Sequence, residues 1–309
     1  MKQSWTWLAC CLFLVAAPCI GAETSTVTLL FGQPKLLRGT TWYNLKEGVR
    51  LRDGDVIDLP QSGQLQLEFS DGGAVSLVGP GAVYIAAATA RDAKQPGSVE
   101  ILLARGWAKF ETKPPGPRLR VRTGLGTVAA SDATAVVHGS GEAFEAFVET
   151  GTVRLSEVGK LVEGASGDIK GGGFASRAAG KALTSERRPP AQFVAALPRD
   201  FMDPLPLRAA RFASARVEPI ADREATFAEA QPWLAGPYRT SFLKRFQPRL
   251  DDPAFRDAMA TSGKAPPEWN AAAAVAPTKA EAPASAPVPP AAKAEPERTF
   301  RWPWEKSSK

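Results

Sequence analysis

The chain has 309 residues, with 38 basic and 32 acidic side chains, one histidine and three cysteines. A single imidazole, His138, excludes a site built from several histidines, and Cys10, Cys11 and Cys19 all lie close to the N-terminus. The net charge of +6 is spread thinly along the chain. Because a nucleic-acid binder concentrates its basic residues on one face, we expect no nucleic-acid partner.

The N-terminus has the features of a secretory signal peptide. An apolar run extends from Trp5 to Ala22 and ends in small residues. Pro18 would disturb a membrane-spanning helix, and no basic cluster follows the run. We therefore expect residues 1–22 to be a signal peptide and the mature protein to be periplasmic or secreted. Cys19 leaves a lipoprotein signal as an alternative, although Pro18 stands where that signal needs a small residue.

The mature chain would contain no cysteine, because all three lie in the predicted signal peptide. Thiol chemistry, disulfides and zinc–thiolate sites are then excluded, so stability has to come from burial and hydrogen bonds. No second apolar run is long enough to cross a membrane, and no transmembrane span is expected in the mature chain.

Residues 23–184 alternate short apolar segments with glycine and aspartate turns, which predicts a mainly β domain. The segment from Gln64 to Phe69 is the clearest strand, because its apolar and polar residues alternate. Further strands are predicted at residues 27–31, 56–59, 74–78, 83–85, 99–103, 108–110, 119–121, 135–137, 144–148 and 153–155.

Residues 185–270 are predicted to form a small segment of short helices that must pack on a neighbour, since helices of this length are not stable alone. Thr226 and Glu229 have the spacing of a capping box, and Asp252 followed by Pro253 is a typical helix start. A third helix is predicted after Pro237. The expected anchors are Trp233, Phe242 and Trp269.

The C-terminal part differs in composition from the rest of the chain. Residues 271–298 are rich in alanine and proline and have little to bury, which predicts a disordered linker. Residues 299–309 form an aromatic and basic tail in which Phe300, Trp302 and Trp304 lie close together. These three residues are a candidate docking peptide for a partner protein or a membrane surface. The alternative is a tail that folds back or makes no contact.

Several patterns that resemble catalytic or cofactor motifs have simpler explanations. The segment 124–129, Gly-Leu-Gly-Thr-Val-Ala, fits the G-x-G-x-x-A pattern of a dinucleotide fingerprint, but a β-like run follows where a helix is needed, so a hairpin turn is predicted. Asp53 and Asp55 lie two residues apart in a turn and cannot face each other across a cleft. His138 is expected beside a turn, and the chain has no G-x-S-x-G motif. We expect no catalytic residue, no cofactor and no metal site.

Arginines at alternate positions are the sharpest candidate binding feature. Arg118, Arg120 and Arg122 alternate with apolar residues, which predicts three guanidinium groups on the outer face of one strand. Such a row can bind carboxylates or phosphates of a wall polymer or an acidic glycan. Two structural uses remain as alternatives: ion pairs across the strand with acidic residues, or protection of a sheet edge. The acidic residues in question are Glu142, Glu145 and Glu149.

Turn and strand motifs follow one another in a recognisable order along about half of the chain. They are Arg38-Gly39, Asp53-Gly54-Asp55-Val56-Ile57, the hairpin from Leu67 to Leu77, the strand from Val99 to Gly106, the segment from Val121 to Val128, and the closing segment from Val148 to Leu155. This series resembles the FecR domain, a bacterial envelope module named after an iron-citrate signalling regulator. The resemblance implies a twisted β-solenoid-like or β-roll-like domain in the periplasm. At residues 131–136 the usual aromatic residue of the family is missing, although a strand is still expected.

The signalling regulators of this family place an anti-sigma helical region and a membrane-spanning helix before the domain, and this sequence shows neither. We therefore expect an exported FecR-domain protein that is a non-catalytic binding or scaffolding module. Its expected partner is an envelope protein or a cell-wall or acidic glycan surface. Two alternatives stay open. One is an enzyme on envelope polysaccharide with dispersed carboxylates in a cleft between the β-domain and the helices, and the other is a periplasmic signalling input to a regulatory system.

Overall fold

A computed structural model describes residues 25–89, 94–158 and 163–269. The predictions for residues 1–22, 271–298 and 299–309, including the docking residues Phe300, Trp302 and Trp304, lie outside these residues. Among the described helices, none is long and apolar enough to span a membrane. The described chain is mainly β with short helices near its C-terminal end, as the sequence predicted.

The described strands belong to one hydrogen-bonded network. They are β1 (Ser25–Phe31), β2 (Lys35–Arg38), β3 (Thr41–Asn44), β4 (Arg50–Leu51), β5 (Val56–Leu59), β6 (Gln64–Phe69), β7 (Ala74–Thr89), β8 (Ser98–Thr112), β9 (Arg118–Arg122), β10 (Gly126–Ala130), β11 (Ala133–Gly139), β12 (Ala143–Val158), β13 (Glu163–Lys170), β14 (Phe174–Ala178), β15 (Thr184–Glu186) and β16 (Ile220–Glu224). The helices are α1 (Ala191–Ala196), α2 (Phe227–Leu234), α3 (Arg239–Phe246) and α4 (Pro253–Ser262), with 3₁₀ turns at Arg199–Phe201, Ala209–Phe212 and Gln247–Asp251. Every apolar segment predicted as a strand lies within one of these strands.

Three long strands, β7, β8 and β12, each take part in two sheets. Their residues 74–78, 106–112 and 143–151 join β4, β1, β6, β11, β14 and β15 in what we call sheet I. Their residues 81–89, 98–105 and 152–158 join β16, β3, β2, β5, β9, β10 and β13 in sheet II. One apolar core lies between the two sheets, since both contribute residues to a single buried cluster.

Glycines stand where the long strands change partners. Gly106 in β8 has a φ of +105°, and a Cβ there would lie 2.9 Å from backbone atoms of Pro80 and Gly81 in β7. Gly151 in β12 has a φ of +78°, and its Cβ would lie 2.2 Å from the Asp132 carbonyl oxygen. Only glycine fits this conformation and this spacing, so the two positions fix the corners between the sheets.

The pairing pattern corrects the solenoid form of the fold prediction. A β-solenoid stacks its coils as parallel strands, whereas nearly all strand pairs here are antiparallel hairpins and returns. The pair β8–β9 is the parallel exception among the described strands. The chain therefore forms two packed sheets joined by bent strands instead of parallel coils.

Helices α2–α4 cover the outer face of sheet II, whereas Phe193 of α1 packs against Phe174 and Val136 of sheet I. Trp42, Tyr84 and Leu102 of the sheet II face share a buried cluster with the predicted anchors Trp233, Phe242 and Trp269 and with other apolar residues of α2–α4. Thr226 and Glu229 form the predicted capping box of α2, and the Asp252 carboxylate accepts a hydrogen bond from the Ala254 N–H at the start of α4. The helices therefore pack on the β-strands, as expected from their length.

A segment that we call the strap, residues 197–212, crosses the outer face of sheet I. Lys109, which is 1% exposed, donates hydrogen bonds from Nζ to the carbonyl oxygens of Phe201 (2.8 Å) and Asp203 (3.0 Å). The same ammonium group lies 2.9 Å from a carboxylate oxygen of Glu149. A buried charge is tolerated here because every donor direction has an acceptor.

Further side chains of sheet I bind the strap backbone. The buried Glu68 accepts hydrogen bonds from the backbone N–H groups of Arg208 (2.7 Å) and Ala209 (2.9 Å). Gln66 donates to the Pro206 carbonyl oxygen at 2.6 Å. The strap is thus held through its main chain by polar side chains, and its Phe201 also packs in a buried apolar cluster with Val136 and Phe174 of sheet I.

Candidate ligand-binding groove

Strand β9 presents its arginines on the outer face of sheet II. Leu119 and Val121 point into the core with exposures of 2% and 0%. Arg118 and Arg120 are exposed, and Arg122 is partly buried. The alternation read from the sequence is therefore the alternation in the structure. β9 lies between β8 and β10, so its arginines do not protect a sheet edge.

A row of residues runs straight across five strands of this face. Glu100, Arg120, Ala129, Arg154 and Asp168 occupy directly paired positions on β8, β9, β10, β12 and β13. Adjacent strands are about 4.8 Å apart, so the backbones that carry the two arginines are separated by about 10 Å. The small Ala129 between them leaves a depression with a guanidinium on each side.

The depression continues along the strands as an open groove of about 840 Å³. Arg118 and Ser98, which are paired in register, and Thr152 also line it. Within the described part of the chain, Arg118 makes no ion pair. We call this feature the arginine groove. Three guanidinium groups, from Arg118, Arg120 and Arg154, face two carboxylates, from Glu100 and Asp168.

Both carboxylates of the groove already have partners. Arg154 Nε lies 3.1 Å from Asp168 Oδ1, and this pair is well exposed to solvent. Tyr238, at the start of α3, donates a hydrogen bond from its hydroxyl to Glu100 at 2.5 Å. Burial and this hydrogen bond raise the pKa of Tyr238 above its ordinary value. The groove is therefore connected to the C-terminal helices through the Tyr238–Glu100 hydrogen bond.

Arg122 lies outside the groove, although the sequence grouped it with Arg118 and Arg120. Its Nε atom is buried, and its charge acts on Tyr238, where it opposes the rise in pKa. Arg122 therefore belongs to the contact between sheet II and the helices.

Two glutamates of the acidic row have partners outside the arginine row. Glu145 pairs with His138, at 2.9 Å from Nδ1, and Glu149 pairs with Lys109. Both glutamates lie in the part of β12 that belongs to sheet I, whereas β9 belongs to sheet II. The structural alternative to a binding role thus loses two of its proposed partners.

The segments that resemble cofactor or catalytic motifs make local contacts that hold turns and strand ends in place. Residues 124–126 form a hairpin turn in which the Thr123 hydroxyl accepts hydrogen bonds from two backbone N–H groups. Asp55 is 1% exposed and accepts from Arg38 Nε (3.0 Å) and Nη2 (2.7 Å). His138 lies near the end of β11 and stacks on Trp107 at 4.3 Å.

A second cavity, of about 550 Å³, lies between α2 and sheet II. Asp58 Oδ1 and Arg105 Nη2 lie 2.7 Å apart on its floor. Burial raises the pKa of Asp58, and Arg105 opposes this rise. On the opposite wall, hydrogen bonds chiefly from Arg223 lower the pKa of Glu229 to about 2. We call this cavity the helix cleft.

Residues 55–154 match the family model described as FecR protein. These residues are a FecR domain. The match covers about a third of the chain and includes Glu100 and all three arginines of the groove. No curated protein matches the chain at a significant level.

Two crystal structures of a candidate anti-sigma factor from Parabacteroides distasonis are similar to the chain. Their sequence identities are 17% and 16%, each with a TM-score of 0.36. Each alignment covers 46% of this chain, and the aligned parts span 63% and 62% of the solved chains, which is less than two thirds of their length.

Sequence reasoning missed half of the groove. Arg154 stands in the last FecR motif, and Asp168 follows the domain, so neither is near β9 in sequence. They reach Arg120 only because β10 and β12 pair in one particular register. The one available signal was Arg154 between the apolar residues Val153 and Leu155 of the closing strand, an alternation that predicts an outward-facing side chain. Among the residues that the structure describes, no group of three or more His, Cys, Asp or Glu side chains could hold a metal ion.

Proposed function

We propose that the protein is an exported, non-catalytic signalling input whose FecR domain binds an anionic ligand in the arginine groove. One observation carries this proposal: Arg118, Arg120 and Arg154 all lie within the FecR match and converge on one groove. Guanidinium groups bind carboxylate and phosphate oxygens in pairs of hydrogen bonds. The ligand class is therefore an acidic polymer of the envelope, with an acidic glycan as the leading example.

The groove has the charge to attract such a ligand. Arg118 has no ion pair among the described residues, and the exposed Arg154–Asp168 pair is of the kind that contributes at most about 1 kcal/mol. An anion that replaces Asp168 at Arg154 therefore loses little. The alanine floor lets one chain of a polymer lie between β9 and β12.

Binding can be passed on through Glu100. An anion at Arg120 approaches Glu100, which is directly paired with Arg120 and holds Tyr238. Repulsion between the two negative charges would weaken the Tyr238–Glu100 hydrogen bond and change the attachment of α3. This route separates a signalling input from a scaffold, because a scaffold needs no response in the helices. The partner that reads the response would be a regulatory protein.

The enzyme alternative has less support from the geometry. A glycosidase needs one carboxyl group free to give a proton and another free to act as base or nucleophile. In the helix cleft Asp58 is bound by Arg105, and both oxygens of Glu229 are bound by Arg223 and Thr226. Neither carboxylate is available for proton transfer.

The binding part of the proposal is tested with polygalacturonate, using calorimetry on the chain without residues 1–22. We expect the double variant Arg118→Gln/Arg120→Gln to bind at least about tenfold more weakly, since two charge-assisted contacts are lost. The control is Arg187→Gln/Arg188→Gln, which removes the same charge from exposed positions elsewhere. Equal weakening by both variants, or binding of neutral dextran with the same affinity, would contradict a specific groove.

The signalling part is tested by hydrogen exchange with and without polygalacturonate. We expect faster exchange in α3 when the ligand is bound, and no such change in the variant Tyr238→Phe. A response confined to β9, β10 and β12 would support a scaffold and refute transmission to the helices.

A further inference from the structure

The helix cleft is a second site, separate from the arginine groove. Its volume of about 550 Å³ falls within the range of about 300–1,000 Å³ typical of small-molecule sites. Sheet II forms its floor through Asp58, Ala82 and Arg105, and α2 forms a wall through Glu229, Pro232 and Trp233. The cavity therefore exists only because the C-terminal segment packs against the FecR domain.

The floor of the cleft resembles the floor of the arginine groove, because charged residues again flank an alanine in a row of directly paired positions. Lys35, Asp58, Ala82 and Arg105 are directly paired across β2, β5, β7 and β8. The Asp58 and Arg105 side chains reach towards each other over the small Ala82 and meet at 2.7 Å. Each is about half exposed, with 47% and 54% of its side chain accessible. The pair thus offers a carboxylate acceptor and guanidinium donors side by side to a ligand above Ala82.

The charges of the cleft cancel. Asp58 is matched by Arg105, Glu229 by Arg223 at 2.6 Å, and Lys35 by Asp222 at 2.6 Å. A charged ligand would gain no net Coulomb attraction and would have to break one of these pairs. A neutral ligand with hydroxyl groups can accept from Arg105 and donate to Asp58 while both remain charged.

The wall formed by α2 is less polar than the floor. Trp233 and Pro232 line it with apolar edges, and Trp42 completes the apolar part. A ring with C–H groups on its faces and hydroxyl groups on its rim matches a site with these two kinds of surface. We infer that the helix cleft binds an uncharged saccharide and does not cleave it. Because Asp58 and Glu229 are both held by arginine, the site lacks a free proton donor.

The test is calorimetric titration of the chain without residues 1–22, supported by tryptophan fluorescence. The probes are glucose and N-acetylglucosamine, and the tetrasaccharides maltotetraose and N,N′,N″,N‴-tetraacetylchitotetraose. If the monosaccharides bind as strongly as the tetrasaccharides, the ligand is a free sugar. If a tetrasaccharide binds more strongly, the ligand is a glycan chain. Failure of all four probes to bind at millimolar concentration would overturn the inference.

Two substitutions test whether the saccharide binds in the helix cleft. We expect Asp58→Asn and Arg105→Gln each to weaken saccharide binding at least about tenfold, since each removes a charged hydrogen-bonding partner. The matched controls are Glu218→Gln and Arg216→Gln, because that pair is also exposed to solvent and lines neither the helix cleft nor the arginine groove. Equal effects of both sets would place the sugar elsewhere.

Chromatography of the tetramers after incubation completes the experiment, and shortened products would overturn the non-catalytic assignment. The groove variants do not touch this cleft, so loss of saccharide binding and loss of polygalacturonate binding can be told apart.

Discussion

Replacing Lys109 by methionine tests how the strap is attached. Methionine keeps most of the buried stem but removes the ammonium group, which leaves Glu149 without its cation and the carbonyl oxygens of Phe201 and Asp203 without their donor. Removal of one partner from a buried ion pair costs about 3–5 kcal/mol. Glu149 is 27% exposed and can regain water, so we expect a cost near the lower limit, about 3 kcal/mol.

The free energy needed to detach the strap is an upper bound on the cost of removing the ammonium group. If the strap detaches more cheaply than this, the orphaned carbonyls become hydrated and the protein remains folded elsewhere. Urea unfolding measures the global free energy, and amide hydrogen exchange at Leu205, Arg208 and Ala209 measures detachment of the strap. We expect Lys109→Met to change at least one of these quantities by the amount given above.

The exposed Lys170 of β13 provides the control. Lys170→Met is expected to stay within about 0.5 kcal/mol of the wild type. If Lys109→Met also stayed within that limit and the three strap amides exchanged at unchanged rates, the buried ammonium would not hold the strap, and the reasoning would be refuted.

Two further predictions concern the corner and the capping box. Gly106→Ala should lower the free energy of unfolding by about 2 kcal/mol or more in urea titrations, because a Cβ would meet the backbone of Gly81 at 2.9 Å with φ at +105°. Glu229 has its pKa lowered from 4.5 to about 2, so its contribution to stability is present above pH 4.5 and is lost as the pH falls towards 2. After allowance for solvent screening we expect about 1 kcal/mol, measured as the difference in pH dependence between the wild type and Glu229→Gln.

Each of these predictions has a matched control. Gly124→Ala should be nearly neutral, because a Cβ at Gly124 meets no atom within 4 Å. Glu186→Gln is the control at an exposed glutamate, and it should change the free energy of unfolding by less than about 0.5 kcal/mol. A Gly106→Ala variant with the same free energy of unfolding as the wild type would show that the corner relaxes. If Glu229→Gln lost stability between pH 4.5 and pH 2 as the wild type does, the ion pair with Arg223 would add no stability.

Local signals in the sequence were sufficient for individual elements. Strand β6 follows from the alternation of Leu65 and Leu67 with polar residues, and α4 follows from Asp252 before Pro253, because both patterns depend on near neighbours only. Strand β16 was missed, since all five of its residues are exposed and it forms only by pairing with β3 at a sheet edge.

The features that the sequence did not reveal depend on contacts between segments that are far apart in the chain. The arginine groove needs Arg154 beside Arg120, and this neighbourhood depends on the register of three strands. The strap was missed for a similar reason, because Lys109 looks like any outward-facing strand residue until residues 201–203 are placed over it. The choice between parallel and antiparallel pairing is likewise a global property, which explains the wrong solenoid prediction.

The two outer faces determine how this chain can be divided. On sheet I the polar residues Lys109, Glu68 and Gln66 bind the strap, but Val136 and Phe174 share a buried apolar cluster with Phe193 of α1 and Phe201 of the strap. Beneath α2–α4 the surface of sheet II is made of Trp42, Tyr84 and Leu102. A fragment that ends at residue 184 would therefore expose apolar residues on both sheet faces, and we expect it to aggregate. The smallest unit suitable for expression extends through Trp269.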